Sequence, residues 1–94
     1  MTREYEALYI IDPRIEEEAI KGIVEKIKTL IESSAEFKNI DEWGKRKLAY
    51  PINKANEGYY VLVEFSANPE FPQELERVFK ITDGVLKYLI VKKD

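Results

Sequence analysis

The residues best suited to chemistry fall in one short run. Lys45, Arg46 and Lys47 follow one another inside "DEWGKRKLAYPINK", residues 41–54, behind Trp43 and Gly44 and ahead of Tyr50, Pro51 and Lys54. Such side chains neutralise phosphates, the Arg46 guanidinium through a planar two-pronged fork and the lysines as point charges. Tyr50, Tyr60 or Trp43 offers a flat face on which an unpaired base can stack, although Trp43 equally suits packing against the segment that carries it. In a strand Lys45 and Lys47 share one face and Arg46 takes the other. Lys38 precedes the run, Lys87, Lys92 and Lys93 lie near the C-terminus, and Arg3 near the N-terminus. A basic triplet alone is common on solvated surfaces, so its meaning depends on what positions it.

Other chemistries lack their residues. The chain has neither histidine nor cysteine, which removes the usual proton shuttle, thiol nucleophiles, disulfides and most zinc sites. Glu4/Glu6 and Glu16/Glu17/Glu18 read as surface and helix-start charge rather than acid–base pairs. Glycines 22, 44, 58 and 84 are scattered and form no phosphate loop. Arg14 or Arg46 with Asn53 could be nominated for a small phosphatase-like activity, but their spacing is that of ordinary surface residues. No enzyme activity, cofactor, metal or small-molecule substrate is expected.

The chain has 94 residues and a formal charge of −3, from 15 basic and 18 acidic side chains, with 45% hydrophobic content. This suits one folded domain over residues 1–94. The N-terminus is charged too early for a signal peptide, and no apolar run could span a bilayer, so a cytoplasmic protein is expected. The average charge conceals segregation. Residues 1–36 sum to −4, residues 37–56 to +3, residues 57–83 to −4 and residues 84–94 to +2. Local positive surface, rather than overall pI, is what an RNA partner requires.

The elements follow from periodicity. "EYEALYII" alternates as a strand, and Asp12-Pro13 ends it. From Ile15 to about Ser33, Ile15, Ala19, Ile20, Ile23, Val24, Ile27, Leu30 and Ile31 form a helical stripe. Residues 36–51 read as a strand with an irregular middle near Gly44, "NKANEG" as a turn, and "YYVLVEF" as the clearest strand of the chain. "NPEFPQELERVFK" is a helix with Asn68 expected as its cap and Pro69 at its first position, while Pro72 sits awkwardly within that start. "VLKYLIVKK" supplies the last strand. The order β-α-β-β-α-β predicts an α+β, ferredoxin-like split β-α-β fold, a four-stranded antiparallel sheet with both helices on one face. The first and third strands are then central, and the basic run lies on an edge.

Alternation assigns Tyr5, Ala7, Tyr9, Tyr59, Val61, Val63, Phe65, Leu86, Tyr88 and Ile90 to the helix-covered side. The open side receives Glu4, Glu6, Leu8, Ile10, Tyr60, Leu62, Glu64, Val85, Lys87, Leu89 and Val91. Leu8, Ile10, Tyr60, Leu62, Leu89 and Val91 make that side too apolar to serve water alone and mark it as a protein-partner face. A one-residue slip of register would instead turn some of them inward. "GYYVLVEF" also invites comparison with the RNA-recognition module, but its platform positions would be Tyr59 and Val61, and the second is not aromatic.

"DEWGKRKLAYPINK", the "GYYVL" strand and the closing "FKITDGVLKYLIVKK", with "YE" near the start, resemble the bacterial small-subunit ribosomal protein family numbered six in that series, over essentially the whole chain. The resemblance implies a structural component of the small ribosomal subunit. It implies binding to the central domain of small-subunit rRNA together with the small basic ribosomal protein numbered eighteen. Carried over by position, it implies RNA binding by Arg3, Lys45, Arg46, Lys47, Tyr50, Lys54, Lys87 and Lys92. Leu86 stands where some members carry a basic residue. The chain ends at Asp94 without the acidic tail of some relatives, so tail modification is not expected. The rival expectation is a protein-interaction or regulatory module on the same sheet, for which the apolar face matters and the basic run does not.

Overall fold

The computed structural model describes residues 2–52 and 54–93. Its elements are β1 (Arg3–Ile11), α1 (Glu17–Ser34), β2 (Glu36–Ile52), β3 (Ala55–Ala67), α2 (Phe71–Ile81) and β4 (Val85–Lys92). The strands form one antiparallel sheet in the order β2-β3-β1-β4. The α+β ferredoxin-like arrangement expected from element order is therefore the observed one, with β1 and β3 central.

Alternation decides which side of the sheet the helices cover. Tyr5, Ala7, Tyr9 and Ile11 of β1 and Val61, Val63 and Phe65 of β3 are buried under Ile23, Val24, Ile27 and Ile31 of α1 and Phe71, Leu75, Val78 and Phe79 of α2. Each Val, Leu, Ile or Phe among them contributes about 1.5–3 kcal/mol on leaving water, before the entropy of ordering it is counted. Aromatic rings join the sheet to α2. Tyr9 lies 4.9 Å from Phe79, which stacks on Tyr88 at 5.2 Å, and Phe65 meets Phe71 edge-on at 5.6 Å. The α1 stripe is as read except at Ala19, which is exposed.

Two local readings are corrected. Asn68 does not cap α2. Its carbonyl accepts the Phe71 N–H at 3.0 Å, closing a turn, and the helix begins at Phe71. Pro72 then falls in the first helical turn, where a missing N–H has no intrahelical partner to lose.

The second correction is on β4. Its pairing to β1 runs Tyr9↔Tyr88 and Ile10↔Lys87, then jumps to Ile11↔Val85. Leu86 is the extra residue of a bulge. Val85 consequently packs on the core, where strict alternation placed Leu86, and leaves the open side.

β2 and β3 extend well past the helices as a two-stranded ribbon. Thirteen residues of β3 span roughly 43 Å at ~3.3 Å each, which accounts for the 40 Å long axis of the molecule. Ile52 pairs with Ala55, so the turn is tighter than "NKANEG" suggested. Lys54 takes a left-handed φ of 67°, as tight hairpin turns require.

Candidate nucleic-acid and partner interface

The open side of the sheet changes character along β1. At one end Lys93 is ion-paired with Glu64, and Lys38 lies 3.8 Å from Glu4 and 3.3 Å from Glu36. The Lys93 ammonium holds the Glu64 carboxyl below its usual range, and Glu64 raises Lys93 in return. Lys38 and Lys93 are matched by carboxylates of the same chain, whereas Arg3 and Lys92, also at this end, have no ion pair among the described residues.

The other end is where the ribbon begins. Ile10 pairs there with Tyr60 on one side and Lys87 on the other. Leu48 reaches across from β2 to cover it, leaving Ile10 7% and Leu48 8% exposed. Gly58 separates the two, and a Cβ on it would overlap Ile10 Cγ2 and stand 3.3 Å from Leu48 Cδ2. Ile10 and Leu48 thus form a second apolar cluster outside the main core.

Ile10 therefore stands on the open side as expected, but its own hairpin covers it. Leu8, Tyr60, Leu62 and Val91 are half-buried on that side, and Leu89 is 58% exposed. Leu8 pairs with both Leu62 and Leu89, which makes the apolar surface continuous across three strands. A cleft of about 230 Å³ opens among Leu8, Ile10, Tyr60, Lys87 and Leu89.

Trp43 is the extra residue of a bulge between Glu42↔Val61 and Gly44↔Tyr60, and Gly44 supplies the positive φ of 82° found there. Its ring stacks on Tyr60 at 6.0 Å with planes 10° apart, and its indole N–H donates to Asp41 Oδ2 at 3.2 Å. The packing role weighed for Trp43 is the one observed. On the helix side, Tyr59 donates to Glu42 Oε1 at 2.8 Å, which raises its phenol above the ordinary value. With Tyr59 so engaged and Val61 fully buried, the sheet has no RNA-recognition-type platform at these positions.

The expected cationic residues divide into two groups. Lys45, Arg46 and Lys47 pair in order with Tyr59, Gly58 and Glu57, so the triplet straddles the ribbon with Arg46 on the open side. Lys54 is at the hairpin tip, Lys87 faces Ile10, and Tyr50 is 64% exposed. Among the described residues none of these five cations has a carboxylate within ion-pair distance. Arg3 and Lys92 are at the opposite end. Lys92 pairs with Tyr5, five strand residues and roughly 17 Å from Lys87, and borders a cleft with Pro72, Gln73 and Glu76 on the helix side.

Arg14, nominated for catalysis, is held by Asp12 through Nε and Nη2, each at 2.9 Å. Asn53 lies outside the described residues. Leu48 and Gly58 were missed by sequence reasoning. The available signal was alternation along β2, which puts Leu48 on the same side as Arg46.

Fold and surface define a ferredoxin-like α+β domain in which a basic ribbon adjoins a continuous apolar face on the open side of the sheet. Residues 4–92 match the family model described as Ribosomal protein S6. The chain is 57% identical over 93 residues to the small ribosomal subunit protein bS6 of Clostridium novyi, covering 98% of each chain. It is equally similar, 57% over 93 residues and 98% of each chain, to that of Thermoanaerobacter pseudethanolicus. A crystal structure of the 30S ribosomal protein S6 from Thermotoga maritima superposes with a TM-score of 0.93 at 32% identity, covering 99% of this chain and 89% of that one. The chain belongs to the ribosomal protein S6 family. It is a structural, RNA-binding protein of the small ribosomal subunit and not an enzyme.

Proposed function

We propose that this chain, as one domain over residues 1–94, binds the central domain of small-subunit rRNA jointly with the small basic ribosomal protein numbered eighteen, in the cytoplasm. The observation that carries this is the division of charge on one sheet. Five cations at the ribbon end all lack carboxylate partners among the described residues, while at the far end Lys38 and Lys93 are matched internally and Arg3 and Lys92 are not. Unmatched cations release counterions when they meet phosphates, and matched ones release fewer.

The apolar surface of Leu8, Leu62, Leu89 and Val91 begins where the unpaired cations end, so RNA and protein can be held side by side. A basic partner also offsets the net charge of −3. Discrimination then comes from RNA shape and from the geometry of the pair. Lys45, Arg46, Lys47, Tyr50, Lys54 and Lys87 take the RNA side of this reading. Arg3 and Lys92 would have to reach RNA separately, around the far end of the sheet.

The test is a salt titration of binding to a central-domain rRNA fragment, with and without the basic partner. Replacing Lys45, Arg46 and Lys47 together by alanine is expected to lower the steepness of log K against log salt by about 2–3, near 0.7–0.9 per lost phosphate contact. An unchanged slope with the apolar face still required would favour the protein-interaction module. No binding even with the partner would end the ribosomal RNA reading.

A further inference from the structure

We propose that the cleft between residues 48–52 of β2 and the open sheet face receives one unpaired RNA base, stacked on Tyr50, with Lys87 and Arg46 on the flanking phosphates. This rests on the ribosomal RNA reading above and names a subsite within it. The cleft has a volume of about 140 Å³ and is lined by Ile10 and its two cross-strand neighbours Tyr60 and Lys87, together with Leu48, Tyr50 and Ile52 of β2. Pockets for drug-sized ligands run to about 300–1,000 Å³, so this one suits a single flat ring.

Its rigidity comes from the cluster beneath it. Ile10 and Leu48 are locked against Gly58, and a floor already dried and ordered costs the incoming ring little reorganisation.

Three aromatic residues border or approach this region, and among them Tyr50 is the one without a ring neighbour among the described residues. Tyr60 already carries Trp43 on its face, and the Trp43 N–H is committed to Asp41. Tyr50 is 64% exposed and makes no ring contact among the described residues. Charge decides the occupant. Lys87 borders the cleft, and Arg46 is two residues from Leu48 on the same side of β2, both without ion pairs among the described residues. Cations flanking an aromatic slot complement the phosphates on either side of a base. The neighbouring 230 Å³ cleft, lined by Leu8, Ile10 and Leu89, is the more apolar of the two and better suited to a protein side chain. Tyr60 and Lys87 border both clefts, so RNA and protein would meet along the line joining them.

The experiment uses the full chain with its basic partner and the central-domain rRNA fragment, comparing Tyr50→Leu and Tyr50→Phe with wild type. Tyr50→Leu is expected to weaken RNA binding about 5- to 150-fold with an unchanged salt slope, because a stacked base and no phosphate contact is lost. Tyr50→Phe keeps the ring and should bind like wild type. Association of the two proteins without RNA should be the same for all three. Wild-type affinity in Tyr50→Leu would overturn the subsite while leaving the phosphate reading intact. Weakened protein–protein association without RNA would overturn it in favour of a partner side chain in the cleft. Failure of the wild-type pair to bind RNA would remove both the subsite and the reading it rests on.

Discussion

Replacing Gly58 by alanine tests the second apolar cluster directly. Gly58 has no positive φ, so the backbone itself accepts an alanine. On that account alone the change would stabilise by about 0.4–1 kcal/mol through the unfolded chain. The new Cβ, however, would overlap Ile10 Cγ2, which is bonded directly to the Ile10 Cβ and cannot swing away like the end of a long side chain. Either Ile10 leaves its rotamer or β1 and β3 separate locally, and overpacking of this kind costs about 1–3 kcal/mol. A net loss of roughly 0–2.5 kcal/mol is expected, up to ~10–20 °C in Tm for a domain of this size. Urea denaturation of Gly58→Ala, Ile10→Ala and the double variant measures it. Ile10→Ala removes the Cγ2 atom, so the cost of Gly58→Ala should largely vanish in that background, giving a coupling of about 1 kcal/mol or more. Strictly additive effects would refute the steric account and with it the rigid floor beneath Tyr50.

Two predictions concern pH. Tyr9 is fully buried, its hydroxyl has no partner among the described residues, and burial pushes its phenol far above the ordinary 10.0, with the Glu42 carboxylate adding to the effect. A raised folded-state value means stability is complete below pH 10.0 and falls above it, as the unfolded chain ionises and the folded one does not. Tyr9→Phe should be neutral to stabilising by about 1 kcal/mol at neutral pH and should flatten this alkaline decline, readable by denaturation across that range. Asp12 behaves oppositely. The Arg14 side chain holds its carboxyl below the ordinary 3.8, so its contribution is present above that value and disappears as pH falls through the lowered one. In Asp12→Asn the acid limb of stability should be shallower, and an unchanged acid limb would show that the pair adds nothing.

What could be read from the sequence was whatever local periodicity determines. The α1 stripe and the alternation of "YYVLVEF" each report a face that one element presents to one core. The failures have a common cause in contacts between distant segments. Leu86 was assigned inward because alternation knows nothing of a bulge, and the bulge exists only in the pairing of β4 with β1. Ile10 read as exposed because Leu48, which covers it, arrives from a strand 38 positions later. The basic residues were identifiable one by one, whereas their division between two ends of the sheet depends on strand register. The start of α2 was misplaced because Asn68-Pro69 and Phe71-Pro72 offer competing signals, and only the closing of the Asn68 turn selects the second.

The irregularities of β2 bear on how the chain avoids itself. A 17-residue edge strand leaves a long row of unpaired backbone donors and acceptors, the kind of template on which copies of a protein align into aggregates. Its register against β3 breaks between Phe37 and Asn39, between Glu42 and Gly44, and between Lys47 and Ile52. The paired runs left between breaks, Asn39 to Glu42 and Gly44 to Lys47, are four residues each. Every bulge bends and twists the edge, so a second straight strand can follow it for only a few residues before the two backbones diverge. The ribbon can thus remain long and outstretched for assembly while its outer border stays a poor seed for polymerisation.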